Sequence, residues 1–261
     1  MSMLIAHLSD PHITAGPLGA GPVAGLQKAL SRVLALDPRP DCVVITGDLV
    51  NNGRPDEYAV LREVIGRFPL PLHLVAGNHD DRETLIDAFG DGPLLGDGTE
   101  AHYAVEYPEA TIVVLDSSVP GDMSGRLGDA QLAWLDATLA RRPDVPALVC
   151  LHHPPIPVGI PFMDGIRLTD GEALADVVTA NTNVVRVLAG HLHRVVSAGF
   201  GGSVLSVAPS TFRQIDLGML PDRELGFVDE PTGFLLHLLT DTDCVTHTVP
   251  VSHAAAPLGA F

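Results

Sequence analysis

A chain of 261 residues with 46% hydrophobic content and a formal net charge of -17 has enough apolar material for one large α/β core and a surface that repels polyanions. Stable nucleic-acid binding and adsorption to an anionic membrane are therefore excluded as expectations. A phosphate-bearing ligand has to be drawn in by something locally positive, either arginines or bound metal ions, because Lys28 is the single lysine.

Three widely spaced cysteines, Cys42, Cys150 and Cys244, read as free thiols, two of them inside apolar runs. No apolar run is long enough for a bilayer, and no basic segment followed by an apolar core opens the chain, so a cytoplasmic protein is expected.

Met3 to Leu8 reads as a short apolar strand that runs into Ser9-Asp10-Pro11-His12. An acid and an imidazole two positions apart at a strand end make a ligand pair, although Asp before Pro is also a common turn former. Val23 to Leu36 has helical spacing and stops at Asp37-Pro38. Cys42 to Thr46 is a second apolar strand, ending in Gly47-Asp48. Helix-start chemistry follows it, with Pro55 at the first helical position and Asp56-Glu57 at the positive end. Leu72 to Ala76 is a third strand, ending in Gly77-Asn78-His79-Asp80. There Asn can coordinate a metal and His can donate a proton, against a plain turn reading for Gly-Asn.

Arg82 to Phe89 is a short helix and Gly90 to Gly98 a glycine-rich loop. His102 to Tyr107 and Thr111 to Asp116 form a hairpin. Gln131 to Leu139 is helical, with Trp134 and Leu135 toward the core. Ala147 to Leu151 is a buried strand delivering His152-His153-Pro154-Pro155, whose prolines stiffen the loop. Val158 to Thr169 reads as a loop near the site and Glu172 to Thr179 as a helix. Val184 to Ala189 is a strand ending in Gly190-His191-Leu192-His193. Two histidines at alternate positions of an extended segment face one way. Val195 to Phe200 and Ser203 to Val207 pair through Gly201-Gly202. Residues 209–231 show no period, Phe234 to Leu239 and Cys244 to Val249 are late strands, and the tail from Ser252 is unpatterned.

The strand-end groups in order are Asp10 and His12, Gly47-Asp48, Gly77-Asn78-His79-Asp80, His152, and Gly190-His191-Leu192-His193. This pattern resembles the calcineurin-like metallophosphoesterases, and most of all their cyclic-nucleotide and glycerophosphodiester phosphodiesterase branch. The stretch from Gly47 to Tyr58 and the segment His152-His153-Pro154-Pro155 with Met163-Asp164 are similar to the glycerophosphodiesterase members.

The resemblance implies a single domain over residues 1–261 with a four-layer αββα sandwich, and a cap or dimerisation element at residues 209–231. It implies two divalent transition-metal ions (Fe, Mn, Zn or Co). Asp10, His12, Asp48 and His193 would hold the first, and Asp48, Asn78, His152 and His191 the second, with Asp48 bridging. It further implies hydrolysis of a small phosphodiester by metal-activated hydroxide, with His79 and Asp48 catalytic, Asn78, His79 and Arg213 touching substrate, and a homo-oligomer, dimer or higher. A phosphomonoesterase and a non-catalytic interaction scaffold are the rival readings.

Arg213 falls near where glycerophosphodiesterase-like members place a His, and the chain departs from them there. Its guanidinium could grip a phosphate through two hydrogen bonds. His153 reads as a support beside a ligand, Asn51 and Asn52 as substrate-orienting or turn residues, and His7, His73, His102, His237, His247 and His253 as structural.

Overall fold

The computed structural model describes residues 2–90, 95, 101–221, 223–240 and 243–252. Most of the loop expected at Gly90 to Gly98 and the tail beyond Ser252 lie outside them. Two sheets form the centre. Strands β1 (Met3–Leu8), β2 (Cys42–Thr46) and β3 (Leu72–Val75) are parallel and adjacent; β12 (Gly233–Leu239) runs antiparallel to β1, and β13 (Cys244–Pro250) antiparallel to β12.

The second sheet has the order β4-β5-β6-β7-β9-β8, from β4 (Tyr103–Glu106), β5 (Thr111–Val114), β6 (Ala147–Cys150), β7 (Val184–Ala189), β8 (Val196–Phe200) and β9 (Ser203–Val207). Its inner strands β5, β6, β7 and β9 are parallel, while β4 and β8 are antiparallel edges.

Alternation along the second sheet's strands sets the layers. Ile112, Val114, Leu148, Cys150 and Leu188 share one core with the first sheet and with helices α1 (Ala20–Leu34), α2 (Pro55–Ile65) and α3 (Arg82–Phe89). Their neighbours Val113, Leu115, Val149, Leu151, Val187 and Ala189 face a second core, closed by α4 (Gly128–Leu139) and α6 (Gly171–Ala180). Helix, sheet, sheet, helix is the four-layer order expected from the sequence.

The local signals act as read. Pro55 opens α2 after Arg54, and the Glu57 carboxylate accepts from the backbone N–H of Asn52 at 2.9 Å and of Arg54 at 3.3 Å. Asp81, which the sequence reading does not single out, caps α3 by accepting from Thr84 N–H at 2.9 Å.

Several elements differ from expectation, α4 among them, which starts at Gly128 where Gln131 is expected. Helix α1 starts at Ala20, three residues before Val23, because Gly19 and Pro22 fit a helix N-terminus that the apolar period does not reveal. The 158–169 loop contains a five-residue helix, α5 (Pro161–Gly165). Residues 209–231 contain a two-stranded ribbon of β10 (Gln214–Ile215) and β11 (Phe227–Val228), whose two-residue strands are too short to show alternation. Trp134 is half-buried while Leu135 is buried. Cys42 and Cys150 are buried free thiols and Cys244 is half-buried. Among the described residues, no helix is long and apolar enough to cross a membrane.

Parallel strands end on the same side, so the C-terminal ends of β1, β2 and β3 meet those of β6 and β7 along one edge. The chain after β9 is anchored there too: Thr211 N–H donates to Ser9 O at 3.1 Å, and Ser210 Oγ donates to Asp10 O at 2.7 Å. At this junction Gly190 leaves no room for a side chain. A Cβ there would lie 2.0 Å from Ser9 Oγ, 2.5 Å from Thr46 O and 2.9 Å from Asp10 Oδ2. We expect Gly190→Ala to destabilise the fold by about 1–3 kcal/mol through overpacking, read as a lower midpoint in denaturant melts.

Candidate metal centre

The strand ends bring Asp10, His12, Asp48, Asn78, His152, His191 and His193 together. Asp10, His12, Asp48, His191 and His193 have φ of 50°, 46°, 47°, 70° and 49°, and they are the only non-glycine residues with positive φ among those described. Left-handed backbone at a non-glycine residue is strained, and a concentration of it at one place marks a functional site. It also corrects the reading of His191 and His193 as neighbours on an extended segment. A tight turn closed by Leu192 N–H on Gly190 O at 2.8 Å separates them, and His191 N–H is held by both Asp10 carboxylate oxygens at 3.2 and 3.1 Å. The two rings therefore serve different groups.

In the first group His12 Nε2 lies 3.0 Å from His193 Nε2 and 3.5 Å from Asp48 Oδ2, and His193 Nε2 lies 3.4 Å from Asp10 Oδ1. These four side chains each offer a ligand atom within 4.8 Å of the others. In the second, His152 Nε2 lies 3.3 Å from Asp48 Oδ1, 3.1 Å from Asn78 Oδ1 and 3.2 Å from His191 Nδ1. Asp48 thus turns one oxygen to each group.

His153 is close enough to be counted with His152 and His191, but both its nitrogens are engaged. Nδ1 meets Ser117 Oγ at 2.8 Å and Nε2 meets Met123 O at 3.1 Å. Asn78, whose oxygen has no such competing partner, completes the second group.

The outer nitrogens fix which atoms point inward. His152 Nδ1–H donates to Thr46 O at 2.7 Å, and His193 Nδ1–H to Arg213 O at 2.8 Å. Each leaves a lone pair on Nε2 facing other acceptors, an arrangement that a proton or a cation must relieve. The buried outer nitrogens His12 Nδ1 and His191 Nε2 make no hydrogen bond. Two imidazole-carboxylate sets sharing one carboxylate, with a neutral amide in one of them, are the donors that borderline divalent transition metals take. The residues fit such ions.

The electrostatics follow from burial and proximity. Burial alone pushes the Asp48 carboxyl up, but the charge and hydrogen bond of His152, with His12 and His79, hold it well below its ordinary value. Burial pushes His152 down, yet the Asp48 carboxylate outweighs it and lifts the ring to about 9. Burial takes His12 to about 3 despite Asp48. Asp10 is raised by burial against the pull of His193 and His152.

His79 stands beside the groups, 38% exposed at its side chain, with Nε2 at 4.0 Å from Asp48 Oδ2. Its Nδ1–H donates to Asn51 O at 2.8 Å. Asn51, Asn78, His79 and Arg213 line a cleft over both groups, walled by Met123, Phe162, Met163, Ile166, Ile215 and Phe227. Arg213 is the one lysine or arginine on that lining, and its guanidinium lies 3.8 Å above the Phe227 ring. Asn52 points away, its amide on Glu57 at 2.7 Å.

One residue that the sequence reading left without a role is Asp80. Its carboxylate accepts from Gly77 N–H at 2.9 Å, Leu49 N–H at 3.0 Å, Val50 N–H at 3.2 Å and Tyr58 Oη–H at 3.0 Å. Burial, and then the negative charge of Asp48, push its carboxyl up to about 7. Asp80 ties the loop bearing Asn78 and His79 to the loop bearing Asp48. The sequence shows the acid, but its partners on the Asp48 loop, Leu49 and Val50, lie some thirty positions away.

Fold and donor set together define a phosphoesterase of the metal-binding kind. Residues 3–195 match the family described as calcineurin-like phosphoesterase, and the chain belongs to it. A glycerophosphodiester phosphodiesterase, GpdQ, of Enterobacter lignolyticus is 33% identical over 98% of this chain and 94% of its own. A 3',5'-cyclic adenosine monophosphate phosphodiesterase, CpdA, of Pseudomonas aeruginosa is 34% identical over 83% of this chain and 79% of its own. The crystal structure of a dimetal phosphatase from Danio rerio shares the fold, with a TM-score of 0.64 and 17% identity over 96% of this chain and 99% of that one.

Because the His152 ring titrates at about 9, a cation taken up by Nε2 must displace a proton. We expect affinity at this group to rise about tenfold per pH unit between roughly 7 and 9, with proton release seen by calorimetry in buffers of different ionisation enthalpy. An affinity independent of pH in that range would exclude a proton on His152 Nε2 in the metal-free protein.

Proposed function

We propose that this chain is a dinuclear metal-dependent phosphodiesterase acting on a small diester of the glycerophosphodiester or cyclic-nucleotide type. The observation that carries the reading is Asp48, with one carboxylate oxygen turned to each ligand group beneath a cleft holding His79 and Arg213. The first cation is assigned to Asp10, His12, Asp48 and His193, the second to Asp48, Asn78, His152 and His191, with Fe, Mn, Zn and Co as candidates. Bound there, two cations supply a lowered pKa for water at neutral pH and neutralise phosphoryl oxygens.

The chain's own residues do the rest. Asn78 is fixed in the wall of the cleft by its 3.1 Å contact with His152, so it can touch both cation and substrate. With Nδ1–H committed to Asn51 O, proton donation to a leaving oxygen falls to Nε2 of His79. Arg213 presents its N–H edge to phosphate while Phe227 supports its face. The apolar wall from Met123 to Phe227 suits a diester carrying a hydrophobic substituent.

Names of relatives support the diester, since GpdQ and CpdA are both called phosphodiesterases. The ribbon of β10 and β11 that carries Phe227 is assigned as the cap, and the neighbouring exposed Leu217, Met219 and Leu220 as a contact between copies in an oligomer.

The test is a panel of cyclic nucleotides, glycerophosphodiesters, phosphomonoesters and an activated aryl diester, assayed with Mn, Fe, Zn and Co. Diester turnover abolished by chelator and restored by metal is expected, and turnover confined to monoesters overturns the reading. Asp48→Ala should remove both ions and essentially all activity. His79→Gln should lower kcat by about 10²–10⁴ with both ions retained; equal loss of metal would make that residue structural. Arg213→Gln should raise KM with little change in kcat, checked by steady-state kinetics of the same diester.

A further inference from the structure

His7 and His237, which the sequence leaves as structural, are both fully buried. Together they form the middle of a hydrogen-bonded line that crosses the first sheet strand by strand, from β13 through β12 and β1 to β2. The line starts on Arg186 of β7 in the second sheet, whose Nε–H lies 3.4 Å from Thr246 Oγ1. A guanidinium has donors only, so the Thr246 hydroxyl accepts from it, which leaves its own proton free for His237 Nδ1 at 2.9 Å.

With that proton given to His237, every later step runs the same way. His237 Nε2–H donates to His7 Nδ1 at 3.2 Å, and His7 Nε2–H to Thr46 Oγ1 at 2.9 Å. Thr46 Oγ1 donates to Ser9 Oγ at 2.8 Å, and Ser9 Oγ to the Thr46 carbonyl at 3.1 Å. That carbonyl also accepts the Nδ1–H of His152 at 2.7 Å. Each ring uses one nitrogen as donor and one as acceptor, which requires both to be neutral. Burial holds both below the ordinary imidazole range, His237 at about 3.

Stability alone does not call for two imidazoles in an aliphatic sheet, since replacing both partners of a buried hydrogen bond by apolar groups of the same shape can be nearly neutral. A fully satisfied polar network fixes geometry instead. Here the geometry it fixes is that of Thr46, the last residue of β2 and the hydrogen-bond partner of a site histidine.

We propose that His7 is a positioning residue for His152: through Thr46 it holds the carbonyl that receives His152 Nδ1–H, and so aims Nε2 at Asp48 and Asn78. The consequence for cation affinity rests on the metal reading above; the consequence for ring orientation does not.

Three variants test it. Thr46→Val removes the hydroxyl and keeps the shape, Thr46→Ser keeps the hydroxyl, and His7→Phe removes the ring's hydrogen bonds. In metal-free protein the NMR signal of His152 Nδ1–H should shift in Thr46→Val and His7→Phe and stay at its wild-type position in Thr46→Ser. On titration with Mn²⁺, one of two binding steps should weaken about tenfold in the first two variants, with the other step unchanged and Thr46→Ser near wild type.

A wild-type His152 signal in Thr46→Val, with only a lower melting temperature, overturns the proposal. So does a shifted signal with both Mn²⁺ constants unchanged. If wild-type protein takes up none of Mn²⁺, Fe²⁺, Zn²⁺ and Co²⁺, the cation reading fails by itself and the NMR arm still decides the orientation. If His7→Phe does not fold, the Thr46 pair decides.

Discussion

The structure depends on burying one carboxylate, Asp48, among imidazoles. At 2% exposure an anion left unpaired costs several kcal/mol, so its surroundings are constrained in every direction. His152 and His12 approach its two oxygens from different strands, and His79 N–H donates to Oδ1 at 2.9 Å. Gly77 has to lack a side chain, because a Cβ there would lie 2.2 Å from Asp48 N and 2.3 Å from Oδ1. Two sheets meeting at their C-terminal edges are the scaffold that supplies these partners from both sides.

The charge distribution complements this arrangement. In a chain with net charge -17, Arg213 is the one lysine or arginine on the cleft lining, and in the function proposed above it shares the attraction for phosphate with the cations. Arg213 also contributes through its backbone, since its carbonyl sets the tautomer of His193. The segment after β9 therefore belongs to the site in two ways: its anchor on Ser9 and Asp10 places the carbonyl, and its ribbon places Phe227 beneath the guanidinium.

Much of this was legible in the sequence because each strand is an apolar run that ends abruptly in a polar group. Asp10, Asp48, Asn78, His152 and His191 are visible in that way, and their common location follows from parallel strands sharing an exit edge. What escaped had partners distant in the chain or lacked a period. Asp80 acts on N–H groups of the preceding strand's loop, and α5 is a single turn or so without periodicity. The family resemblance already sends His191 and His193 to different groups; what stays hidden is the left-handed backbone that turns them apart, which Asp and His adopt under tertiary constraint and which no residue-type pattern discloses. The His7–His237 line is hidden for the same reason: its order is the sheet's order, with members 230 positions apart.

The left-handed backbone at Asp10, His12, Asp48, His191 and His193 has an evolutionary corollary. Glycine adopts that conformation at no steric cost, so at these positions the residue that relaxes the chain is never the residue that chelates. A lineage released from selection for hydrolysis could relax this backbone with glycine only by also giving up the buried pairings that Asp10, His12, Asp48, His191 and His193 make with one another.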